Sequence, residues 1–246
     1  MSVAIACNDF RFDNIKAIIF DKDGTLEDSL KFWLGVGRER ARLIDAQIPG
    51  VGEPLLMAFG ILDNTLDATG LMAVGSELEN EIAAAAYIAE TGRSWHEARK
   101  IAQQAFAEVA ESKYLVKNSR TSPLFPDVKD TLATLTNADI KIGILSADSS
   151  QEVEKFIASH QLQKYIELAM GTDGEIVKPN PQLFLQACQA LNVNPAETVM
   201  IGDSTGDITM AQTAGAAGAI GICRHRNTSI VQANVQISNL EEIKVL

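Results

Sequence analysis

Cysteine is scarce: Cys7, Cys188 and Cys223 are odd in number, scattered, and include no C-x-x-C pair. That pattern excludes a disulfide framework and gives no zinc-thiolate spacing, so the three are read as reduced structural residues. Long apolar runs are missing too. No stretch approaches the roughly 20 residues that span a bilayer, and no membrane partner is expected. The start, "MSVAIACNDFRFD", has neither the basic opening nor the apolar stretch of a secretory signal, which makes the cytoplasm the expected location. Positive charge is in deficit, with 21 Lys and Arg against 32 Asp and Glu for a formal net charge of −11, and the basic residues form no run. Nucleic acid is therefore not an expected partner, and an anionic ligand must be met by local cations. Only 7 prolines interrupt 246 residues that are 46% hydrophobic, so the chain can bury a core in one or two domains.

What is present falls into two patterns. Apolar, β-branched runs occur in the first 21 residues and again beyond about residue 138: "IKAIIF", "DIKIGILS", "YIELAM", "TVMIGD" and "GAIGI". Stretches with helical spacing, "SSQEVEKFIASH" and "NPQLFLQACQALN", separate the later ones. Strands alternating with helices predict an α/β fold with a doubly wound parallel sheet covered on both faces. Residues 29–119 differ, being rich in Ala, Glu, Gln and Leu with apolar residues at spacings of three and four. Ser76 with Glu79 and Ser94 with Glu97 have the spacing of capping boxes. This block predicts an inserted, all-α helical domain, with the α/β core formed by residues 1–28 and 120–246.

The run "IKAIIF" ends in "FDKDGTL", which places Asp21 and Asp23 two residues apart where a strand should stop. In a doubly wound sheet, ligands lie beyond the carboxyl ends of the strands. Alone, an Asp-Gly pair after a strand is a turn. Here, however, other predicted strands end in Ser146 and Asp203, Asp207 follows in "GDSTGD", and Lys178 stands in "KPNP" before a predicted helix. Separate segments thus deliver carboxylates, a hydroxyl and a lysine to one edge, which turn chemistry does not explain.

In these four motifs, which cover nearly the whole chain in order, the sequence resembles the haloacid dehalogenase superfamily. Within it, the likeness is to Mg²⁺-dependent phosphatases with a helical cap inserted after the first strand of a Rossmann-like core, in cap type and length the phosphoglycolate phosphatase-like branch. The resemblance implies a nucleophile at Asp21 and a general acid and base at Asp23. It implies phosphate ligation by Gly24, Thr25, Ser146, Ala147 and Lys178. Mg²⁺ would be held by Asp21, Asp203 and the main-chain carbonyl of Asp23, with Asp207 supporting the ion directly or through water, or orienting Lys178. The implied partner is a small-molecule phosphate ester, and the implied assembly a monomer or a homodimer. A phosphate dianion repels an attacking carboxylate, so such chemistry needs cations on both, and an aspartyl-phosphate divides one hard displacement into two. A phosphomutase resembling β-phosphoglucomutase would share all four motifs, and a non-catalytic phospholigand sensor would share the fold.

Other residues receive plainer readings. His96, His160 and His225 show no metal spacing and are assigned no role. Trp33, Trp95 and Phe59 are expected in the core of the insert. The turn "GLMAVGS" is either punctuation between helices or, as the resemblance implies, a cap loop that contacts the leaving group. Ala147 and Asp148 after Ser146 depart from the common family pattern, and Asp148 is expected to cap the helix that follows.

Overall fold

The runs "AIIF", "KIGIL", "TVMIG" and "GAIGI" carry apolar or small residues at every position but the opening Lys141, as strands covered on both faces do, and each forms a strand of one parallel sheet. The computed structural model describes residues 3–67, 70–118, 120–174, 176–224, 230 and 232–246. The chain divides into two compact units, one built from Met1–Asp28 with Pro123–Leu246 and the other from Ser29–Ser122. Ser119, the last residue of the expected insert, lies outside the described residues. Among the described residues no helix is long and apolar enough to cross a membrane.

The first unit begins with β1 (Val3–Cys7), β2 (Phe10–Ile15) and β3 (Ala17–Phe20). The insert follows, with α1 (Leu30–Gln47), α2 (Gly52–Phe59), β4 (Ile61–Leu62), β5 (Thr65–Leu66), α3 (Leu71–Val74), α4 (Glu77–Glu90) and α5 (Trp95–Ala110). The expectation of an all-α insert is corrected by β4 and β5, an antiparallel hairpin. Asp63, in the left-handed region at φ 52°, starts its two-residue turn, and Arg38 bonds the Asp63 carbonyl and the Asn64 side chain. "GLMAVGS" folds as α3, which places Met72 in the insert's own core with Ile44, Leu55, Phe59, Ile88 and Phe106. Ser76 and Glu79 complete a capping box, whereas Ser94 accepts from the Glu97 amide while Glu97 turns its carboxylate to Arg93. Trp95 is not a core residue: it occupies the first position of α5 and is 50% exposed. Phe59 is fully buried, and Trp33 is half-buried beneath the Lys117 ammonium.

The first unit resumes with α6 (Val128–Asn137), β6 (Lys141–Leu145), α7 (Ser150–His160), β7 (Leu168–Met170) and α8 (Pro181–Ala190). It ends with β8 (Thr198–Gly202), α9 (Thr205–Thr213), β9 (Gly218–Ile222), β10 (Val235–Ile237) and β11 (Ile243–Val245). The main sheet runs β10-β9-β8-β3-β6-β7, with every neighbouring pair parallel. Successive residues of β3 face opposite sides, as a period of two requires. Ile18 and Phe20 pack with Leu132 of α6 and Val153 and Phe156 of α7, while Ala17 and Ile19 pack with Phe184 of α8 and Ile208 of α9. A second, antiparallel sheet, β11-β1-β2, joins the two ends of the chain. Its Phe12 lies on β9 at Gly218, where an added Cβ would fall 2.1 Å from the ring.

Candidate active site

Parallel pairing aligns Phe20, the last residue of β3, with Ile144 and Ile201 of the flanking strands, so the segments leaving β3, β6 and β8 share one edge. Asp21 follows Phe20 directly and its amide still donates to the Ile201 carbonyl at 2.8 Å. The backbone thereby sets the carboxylate at the strand end. Lys178, from the turn before α8, donates to Asp21 Oδ1 at 2.6 Å and pairs with Asp207 Oδ1 at 2.7 Å. Carboxylate oxygens of Asp21, Asp203 and Asp207 lie within 4.8 Å of one another. Of the expected site residues, these four are brought into one cluster.

Crowding controls their charge states. Burial pushes the Asp21 carboxyl up to about 7 against the opposing pull of Lys178, with Asp207 and Asp23 adding to the rise. Burial also raises Asp203 well above the ordinary carboxylate range, helped by Asp21 and Asp207. For Lys178 burial acts downward, but the carboxylates of Asp207 and Asp21 outweigh it and raise the ammonium. One lysine for three converging carboxylates leaves an excess of negative charge on hard oxygen donors, which is the donor set that suits Mg²⁺. The residues present fit that ion. Asp207 fits a supporting place, since both its oxygens are engaged: Oδ1 on Lys178, and Oδ2 accepting from the Ser204 hydroxyl at 2.6 Å. The Asp207 amide returns a bond to Ser204 Oγ at 3.2 Å, completing a capping box at the start of α9. Closing the capping box and holding Lys178 are both performed by this one side chain.

Two glycines make room for the acids. Gly24 sits at φ +72°, and a Cβ there would come 2.0 Å from Asp203 Oδ2; at Gly202 a Cβ would come 2.5 Å from the Asp207 carboxylate. Of the expected phosphate ligands, Gly24 and Thr25 lie in this turn. The Gly24 amide donates to the Glu27 carbonyl at 2.9 Å, and Thr25 is fully buried with its carbonyl taken by Arg224 at 2.7 Å. Ser146 is buried just past β6, where its Oγ accepts from the Asp148 amide at 3.1 Å, while Ala147 is exposed beside it.

Asp148 does not cap α7. Ser149 does, accepting from the Glu152 amide, and Asp148 instead reaches Lys22 Nζ at 2.9 Å. Lys22 is a residue the sequence reading passed over, as is Arg224, which also pairs with Asp127 at 2.5 Å and stacks 4.1 Å from the Phe125 ring. The available signal for Lys22 was a cation between two acids at the end of an apolar strand. His160 is buried against Phe156, with ring centroids 5.0 Å apart, and His225 lies outside the described residues.

A doubly wound α/β core with an inserted, mainly helical unit brings acids and a lysine together at the ends of its central strands. The chain belongs to the haloacid dehalogenase-like hydrolase family, which it matches over residues 15–215. It is 30% identical over 209 residues to the phosphoglycolate phosphatase of Photorhabdus laumondii subsp. laumondii, covering 82% of this chain and 77% of that protein. To the phosphoglycolate phosphatase of Yersinia pestis it is 29% identical, over 83% of this chain and 80% of that protein. Among solved structures it is similar to a HAD phosphatase from Thermococcus onnurineus, with a TM-score of 0.61 at 21% identity, covering 93% of this chain and 95% of that one. It is also similar to the 2-haloacid dehalogenase of Pseudomonas syringae pv. Tomato DC3000, with a TM-score of 0.56 at 23% identity, over 93% and 96% of the two chains. The two structures share the fold, one being a phosphatase and the other a dehalogenase, so the fold alone does not choose the reaction.

Proposed function

We propose that this protein is a Mg²⁺-dependent phosphatase that hydrolyses a small phosphate monoester through an aspartyl-phosphate on Asp21. The observation that carries the reading is the Asp21 carboxylate at the carboxyl end of β3, held by Lys178 beside Asp203 and Asp207. Mg²⁺, held by Asp21, Asp203 and the Asp23 carbonyl, would supply the positive charge that lets two anions approach.

Asp21 attacks phosphorus as the ester P–O bond breaks. Asp23, two residues on, gives its proton to the departing oxygen and later takes one from the water that hydrolyses the acyl phosphate. Lys178 keeps Asp21 in one orientation and offers an ammonium to the transferring phosphoryl group. Asp207 holds Lys178, and the Ser146 hydroxyl donates to a phosphoryl oxygen. The two named relatives favour a short carboxylated phosphate ester such as phosphoglycolate as the substrate class. An intact second aspartate favours phosphoryl transfer over halide displacement, which needs no such acid.

A panel of metabolite phosphates assayed for phosphate release with Mg²⁺ tests the proposal. Release from phosphoglycolate or a near relative, abolished by EDTA and by Asp21→Asn, is the expected result. Correctly folded protein that releases no phosphate from any ester, including p-nitrophenyl phosphate, would overturn it. Isomerisation of a sugar phosphate that depends on a sugar bisphosphate would replace it with a phosphomutase.

A further inference from the structure

A lysine is expensive to bury, and Lys22 is 1% exposed at the end of the central strand's apolar run. Its Nζ lies 2.5 Å from Asp23 Oδ2, 2.8 Å from Glu27 Oε1 and 2.9 Å from Asp148 Oδ2. The Phe156 ring stands 5.6 Å away, and His160 Nε2 approaches the far oxygen of Glu27 at 4.0 Å. The three carboxylates arrive from two loops: Asp23 and Glu27 from the one after β3, Asp148 from the one after β6. Glu27 is itself pinned by a bridge to Leu124.

For stability alone this is a poor arrangement, because well-packed apolar residues commonly replace a buried ionic cluster without loss. Its geometric product is specific. We propose that Lys22 is a positioning residue for Asp23, holding Oδ2 so that Oδ1 meets the leaving-group oxygen, with Glu27 and Asp148 as the two anchors that fix the ammonium. This rests on the reading of Asp23 as the acid. Because Glu27 and Asp148 share the ammonium's charge, Lys22 serves Asp23 as a hydrogen-bond anchor more than as a dedicated counter-ion. As the ester P–O bond breaks, its electron pair stays on the oxygen that takes the Asp23 proton, and the carboxylate left behind already has its donor in place. The same contact turns Asp148 away from Ser146 and Ala147 towards a cation, so the additional acid after the second motif is neutralised.

The test measures kcat/KM over phosphate monoesters whose leaving groups run from an acidic phenol to a simple alcohol, because only poor leaving groups need the proton. Lys22→Met should lower kcat/KM for alkyl esters by about 10–100-fold, the usual cost of losing an orienting partner, while the p-nitrophenyl ester changes little. A loss of equal size for all esters, or none, overturns the proposal. Should Lys22→Met fail to fold, Lys22→Met/Glu27→Gln/Asp148→Asn removes the stranded charges and must show the same selective loss. Asp23→Asn in otherwise unaltered protein separates the two levels. If it hits alkyl esters selectively and the Lys22 variants do not, only the positioning role falls. If it hits all esters equally, the assignment of Asp23 as acid falls and the proposal with it.

Discussion

Replacing Gly24 by alanine inserts one methyl group at a point where the structure has no room for it. The new Cβ would stand 2.0 Å from Asp203 Oδ2 and 2.8 Å from its carboxyl carbon, whereas real Cβ contacts stay beyond 3.0 Å, so the carboxylate must retreat by about 1 Å. A displacement of about 1 Å at a reacting centre costs on the order of 10²-fold in rate. The backbone adds its own strain, since φ +72° costs a non-glycine residue roughly 1–2 kcal/mol. In a chain of this size that strain corresponds to a fall of roughly 2–8 °C in Tm. Gly50 is the matched control: its φ is +96°, yet nothing lies within 4 Å of the added carbon. Gly50→Ala should therefore share the fall in Tm and keep full activity, while Gly24→Ala should lose about 10²-fold in kcat/KM and require more Mg²⁺. Phosphate-release kinetics across a Mg²⁺ titration, paired with melting curves, measure both. Gly24→Ala with unaltered turnover and Mg²⁺ requirement would refute the placing of Asp203 against the turn.

Asp21→Asn should abolish phosphate release, with its circular dichroism and melting curve close to those of the natural protein, because the group serves chemistry more than packing. Asp207→Ala should lose about 1 kcal/mol of stability with the capping box and roughly 10–100-fold in activity with the hold on Lys178. Ser204→Ala should lose the first and keep most of the second, and kinetics beside chemical denaturation separate them. The Gly52 and Gly50 amides hold the Asp45 carboxyl below its ordinary range. A depressed pKa contributes stability that is present above the unfolded value and lost as pH falls through the folded one. The stability gap between the natural protein and Asp45→Asn should accordingly close as pH falls below about 4, as denaturation midpoints against pH would record. Asp28 donates to the Pro123 carbonyl at 2.8 Å, so a linker of a few residues in place of Ser29–Ser122 should leave the first unit folded, as its amide exchange and melting would show.

How much of this was legible follows from the range of each interaction. β3, β6, β8 and β9 were visible because a strand buried on both faces needs apolar or small residues at every position, which is a local signature. The antiparallel β11-β1-β2 sheet was not, because Ile5 pairs with Val245 and no window of sequence contains both. Asp21, Lys178, Asp203 and Asp207 could be nominated from their places at strand ends and turns, but their pairing is a product of the parallel register. Asp148 shows the limit most clearly. Its position before "SSQEVEKF" suits a cap, and the chain places the cap one residue later, at Ser149. Local rules treat Asp and Ser as near equals in that place. The choice between them is made by Lys22, 126 residues earlier, whose buried ammonium takes the Asp148 carboxylate and leaves the helix to the serine. A departure from a common motif that reads locally as a change of cap is thus half of a long-range pair, and the other half is the cation inside the first motif.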